Sequence, residues 1–158
     1  MHLGELSENQ LKYWRLLYEE SLADVQSVNY FEKLDVDRLI DQREMVELLN
    51  SYLADQISTE ELRATFDRKT RKDWNTFGFK GMSGAMFLNM LVKHVSDERT
   101  LSDQLRFALP APKDAQDGRG RMQTFMRFLE SLISSHQASK RQIQPARTPF
   151  FLSGWWHL

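Results

Sequence analysis

The residues best suited by type to do chemistry lie between Arg68 and Ala85 of a 158-residue chain. Gly81-Met82-Ser83-Gly84-Ala85 places a serine among glycines. A nucleophile elbow uses such a turn, but it needs glycine two positions after the serine, a preceding strand, and a histidine and an acid held nearby. Ala85 stands where that glycine belongs, so Ser83 is expected to cap a helix. A Walker loop needs glycine, lysine and serine or threonine in that order, whereas Lys80 here precedes Gly81. Backbone amides of such a turn can still meet an anion at a helix start, although a tight packing turn is the simpler use of the glycines. His2, His94, His136 and His157 are scattered, with no pair at the spacing of a helical zinc site. Asp35 and Asp37 suit a solvated loop or helix start. The absence of cysteine excludes disulfides, thiolate metal sites and a cysteine nucleophile. No catalytic constellation is complete, so a non-catalytic chain with no cofactor and no metal is expected.

A binding segment is easier to discern. Arg68, Lys69, Arg71 and Lys72 precede Trp74, Phe77, Phe79 and Lys80. Cations interleaved with rings suit phosphates and stacked bases. The candidate nucleic-acid site is therefore Arg68, Lys69, Arg71, Lys72, Trp74, Phe77 and Lys80. A solvated helix end followed by buried aromatics would produce the same pattern. Arg119, Arg121, Arg127, Lys140, Arg141 and Arg147 add charge later, but not on one helical stripe. The formal net charge of -1 covers an asymmetry: residues 1–66 carry 14 acidic and 6 basic side chains, and residues 67–158 carry 8 and 15. A basic half can serve an acidic partner, or it can face and neutralise the acidic half.

The elements that must position these residues are helices. With 41% apolar and 27% charged residues, the chain has an ordinary globular balance. Ser7 with Gln10, and Ser58 with Glu61, form capping boxes, flanked by Leu6 with Leu11 and Ile57 with Leu62 as hydrophobic staples. Apolar residues at Leu11, Trp14, Tyr18, Leu22 and Val25 follow the first box at helical spacing. A second helix is predicted over Val36–Ala54 and a third from Ser58 into the polar run at Asp67. A fourth follows Ser83 and a fifth opens at Asp97 or Thr100, stopped by Pro110-Ala111-Pro112. The last long helix is predicted over Lys113–Gln137. The fold class is mainly α: a compact bundle of about five or six helices with a C-terminal aromatic strand or packed tail. The helical domain is expected to span 1–137. Residues 138–158 are expected to form a linker and an aromatic segment that continues into a longer protein.

The run Trp74-Asn75-Thr76-Phe77-Gly78-Phe79-Lys80-Gly81-Met82-Ser83-Gly84-Ala85-Met86-Phe87-Leu88-Asn89 resembles the N-terminal region of bacterial McrB-type ATPases. These belong to the AAA+ class linked to modification-dependent DNA restriction. The helix before it, the turn at Leu105, Arg106 and Pro110, and the closing Phe151-Leu152-Ser153-Gly154-Trp155-Trp156-His157 are similar as well. The resemblance covers residues 36–158. It contains no nucleotide-binding motif, so ATP or GTP binding is carried over to no residue here. It implies a place ahead of a motor, as an accessory domain in bacterial defence, with DNA and other subunits of a restriction complex as partners. Some modules so placed flip a modified base into an aromatic pocket. The alternative is a helical protein-protein interaction or oligomerisation module, carried by the acidic helices from Leu11 to Leu53 and the aromatic tail. No apolar run reaches the roughly 18 residues of a membrane span. Met1–Gln10 does not read as a signal peptide. A cytoplasmic location without membrane contact is expected.

Overall fold

A computed structural model describes residues 7–23, 25–70 and 82–158. The regular structure among those residues is all helical, with no strand. The helices are α1 (Glu8–Ala23), α2 (Val25–Leu53), α3 (Thr59–Thr70), α4 (Met82–His94), α5 (Glu98–Ala108), α6 (Ala115–Ser134) and α7 (Thr148–Trp156), with a 3-10 turn at Pro145–Arg147 before α7. No described helix is long and apolar enough to cross a membrane. The chain divides into two compact units, residues 1–37 and 38–158.

The first unit holds α1 and the start of α2. The capping box at the head of α1 forms as its sequence dictates. Gln10 Oε1 accepts from the Ser7 backbone N–H at 2.9 Å, and Ser7 Oγ accepts from the Gln10 N–H at 3.4 Å. α2 begins at Val25, well before the predicted Val36, because no glycine or proline intervenes to stop it.

The second unit is built around one apolar core. Met45, Leu49 and Tyr52 come from α2, Leu62 and Phe66 from α3, and Leu88 and Leu91 from α4. Leu101 and Leu105 add the face of α5, and Phe125 and Leu129 that of α6. The spacing of three and four residues along each helix is what brings these side chains to one side. α3 opens on the second capping box, with Glu61 Oε2 accepting from the Ser58 N–H at 2.8 Å and Ser58 Oγ from the Glu61 N–H at 3.2 Å. Asp97 caps α5, and Asp114 caps α6 by accepting from the Gln116 and Asp117 N–H groups. α6 is three residues shorter at its C-terminus than predicted. It ends where His136 turns to a φ of 59°.

Of the two forms expected for the aromatic C-terminus, strand or packed tail, the packed tail is the one that forms, as a helix, α7. Thr148 and Pro149 start it, and Phe151, Leu152 and Trp155 bury one face. The Trp155 ring lies 4.8 Å from Phe66, and Phe151 lies 5.2 Å from Phe87. Trp156 donates its indole N–H to the Ala108 carbonyl at 2.9 Å, occupying a carbonyl left free at the end of α5. The stretch before it, expected from sequence to be a linker, also packs: Ala138, Ile143 and Pro145 are buried. Three isolated small or apolar residues among polar ones carry no periodicity that a sequence pattern would reveal. Ser83 lies in the first turn of α4, which already begins at Met82, rather than at the cap.

Candidate interaction surface

The candidate nucleic-acid residues begin in the last turn of α3. Arg68 is exposed there. Lys69, one position round the helix, points the other way. Its ammonium lies 3.6 Å from Asp41 Oδ1 and also pairs with Glu44, both on α2. Asp41 is only 3% exposed, so this contact neutralises a carboxylate that has little water around it. Lys69 is thus committed to holding α3 on α2. Arg71, Lys72, Trp74, Phe77 and Lys80, together with Phe79 and Gly81, lie outside the described residues.

α3 is fastened on its other side by a polar relay. Arg63 donates to Asn89 Oδ1 at 2.8 Å, and Asn89 donates from Nδ2 to Asp67 Oδ1 at 3.0 Å. Arg63 also pairs with Glu60, and its hydrogen bond holds the Glu60 carboxyl below the usual range. Gly84 completes the close approach of α4. A Cβ there would stand 3.4 Å from the Phe66 ring. The only sign of Asn89's role in the sequence is its place as one amide amid the apolar run Met86–Leu91, the kind of signal that marks a polar tie.

A second polar knot joins the α2–α3 corner to α5. The Tyr52 hydroxyl lies 3.2 Å from Thr59 Oγ1 and 3.0 Å from Ser102 Oγ. The Arg106 guanidinium sits 4.6 Å above the Tyr52 ring, donates to Ser102 Oγ at 3.1 Å and pairs with Asp55 at 2.6 Å. A cleft of about 750 Å³ opens beside it, lined in part by Ser58, Glu98, Arg99 and Asp103. Of its charges, Arg106 and Asp55 satisfy one another, as expected of a fastening.

The carboxylates with shifted titration all move downward. Glu61 is held low by the Ser58 N–H, Asp97 by the Thr100 hydroxyl, and Asp117 by Arg121 and then the Lys113 N–H. A general acid working near neutrality needs the opposite shift. No group of three metal-binding side chains converges among the described residues.

The most conspicuous surface is apolar. Every residue from Ser7 to Glu20 is exposed. Leu11, Tyr13, Trp14, Leu16, Leu17 and Tyr18 keep between 38% and 63% of their surface in water. In the second unit, Leu39 and Ile40 of α2 are also exposed. Leu39 lines a shallow hollow together with Val46 and Leu158. A larger groove of about 740 Å³ runs between α6 and the 138–147 crossing, with Met126, Ile133, Pro145 and Ala146 among its walls. The helical periodicity of Leu11, Trp14 and Tyr18 was legible in the sequence, but not that the described chain leaves it in solvent.

No protein-family model matches the chain, and neither a curated protein nor a solved structure matches it.

Proposed function

We propose that this chain is a non-catalytic helical module that docks another protein through the apolar face of α1. One observation carries the proposal: six large apolar side chains on a single 16-residue helix lie in solvent. A helix of that length is marginal in water on its own, and in proteins such helices are stabilised by burying one face. Contiguous exposed apolar surface of this kind marks interaction sites. Co-isolation of partners by the wild-type chain and by Trp14→Glu tests the role. Partners retained at high salt by the wild type and lost by the variant are expected. An identical partner set for both would count against it.

A second role is favoured by the exposure of Arg68 at the threshold of the basic aromatic segment. It is nucleic-acid recognition, in the accessory N-terminal position of a McrB-like restriction ATPase. Fluorescence anisotropy with single- and double-stranded DNA, methylated and unmethylated, across a salt series would test it. Phosphate contacts predict affinity that falls steeply with salt. Charge reversal at Arg71 and Lys72 should abolish that binding and spare protein docking. Flat curves at low salt would remove the nucleic-acid role. Either role belongs in the cytoplasm.

A further inference from the structure

We infer that the protein docked by α1 is a second copy of this chain, and that the groove beside α6 receives it. This rests on the docking role proposed above. The two surfaces match in kind. α1 offers Leu11, Trp14 and Tyr18 on one face, at the spacing that anchors a helix in a groove. The groove, at about 740 Å³, has room for several such side chains against Met126, Ile133 and Pro145.

They also match in charge. Residues 1–37 carry 8 acidic and 3 basic side chains. Arg127, Lys140, Arg141 and Arg147, all exposed, flank the groove walls along the chain. Glu8, Glu19 and Glu20 of an incoming α1 would meet these cations. The one acid lining the groove, Glu130, would meet Lys12 or Arg15. Symmetric pairing of α1 with itself lacks this complementarity. A parallel pair sets each charge against its own copy. An antiparallel pair centred on Tyr13 and Trp14 sets Lys12 against Arg15 and Glu8 against Glu19, and like charges so placed repel. Helix and groove are different patches, so each copy offers one of each, and two copies can either exchange helices reciprocally and close as a dimer or pass the free patch on to a third.

Sedimentation velocity of the full chain, from about 1 μM to about 200 μM, tests this. The wild type is expected to associate, as a reciprocal dimer or a longer assembly. Trp14→Glu on the helix and Ile133→Glu in the groove should each weaken association by at least roughly 30-fold, as loss of a central anchor does. Lys140→Glu, a surface change that spares the packing, should weaken it less, and most at low salt. An equimolar mixture of Trp14→Glu and Ile133→Glu should form one-to-one pairs that grow no further. Two results would overturn the inference. One is a wild type that stays monomeric throughout. The other is groove variants that associate like the wild type, which would indicate α1 pairing with α1. A monomeric wild type whose other partners are still lost in Trp14→Glu would leave the docking role standing. A monomer whose partners ignore that substitution would remove both.

Discussion

Lys69 illustrates how a single residue changes meaning between sequence and structure. In the sequence it is one of four cations in five positions, and it reads as a phosphate ligand. In the folded unit it faces Asp41 and Glu44. The periodicity of a helix determines which of two neighbouring cations turns inward, but sequence alone does not fix which face α2 occupies. Arg68 keeps its exposure and Lys69 does not. Lys69→Ala should therefore destabilise the second unit by about 1–2 kcal/mol. That lies below the cost of breaking a fully buried pair, because the lysine and Glu44 remain partly in water. Asp41→Asn in the same background should recover part of the loss, since the buried charge is then gone. Urea melts of the single and double variants check this. An unchanged Lys69→Ala midpoint would mean the pair contributes nothing. Asn89 and Tyr52 are further residues whose roles no local pattern announced, because their partners lie on other helices.

At the scale of elements, the sequence was most legible where the physics is local. Both capping boxes form as written, because each is closed by residues three apart. The mainly helical class follows from spacing. The C-terminal segment was not legible as a helix. Its aromatic density suits a strand equally well, and burial against Phe66 and Phe87 decided the outcome. Cap chemistry sets an acid limit on stability. Glu60, Glu61, Asp97 and Asp117 titrate below their ordinary values in the folded chain. Their contribution is therefore complete above the unfolded carboxylate values and is lost as pH falls through the folded ones. Thermal midpoints should hold between about pH 7 and pH 5 and fall below about pH 4. The double variant Glu61→Gln and Asp97→Asn should show a shallower acid slope, and a slope equal to wild type would contradict the assignment. The two glycines early in α6 give a second prediction. A Cβ at Gly120 meets open space, whereas one at Gly118 stands 3.3 Å from Pro112 Cγ and 3.4 Å from the Trp156 ring. Gly120→Ala should stabilise by about 0.5–1 kcal/mol, and Gly118→Ala by less or not at all. The reverse order in chemical denaturation would contradict this packing of α7 beside α6.

Across the whole molecule, a well-filled core in residues 38–158 contrasts with an uncovered apolar helix in residues 7–20. The basic second half and acidic first half were visible as a count, but a count does not say which surface a charge occupies. The stripe on α1 has helical spacing, and spacing alone does not say what covers it. What covers a helix is a long-range property, and for α1 the account places the cover outside the chain. Amide hydrogen exchange over Glu8–Ala23, followed as a function of protein concentration, tests that claim most directly. At low micromolar concentration these amides should exchange nearly as fast as an isolated helix, while Leu88, Leu105 and Leu129 stay protected. Their protection should rise by roughly tenfold or more as the partner surface is engaged. If the α1 amides are as protected as the core in dilute solution, and concentration changes nothing, the apolar face is covered within the chain and the account of α1 as a docking surface is wrong.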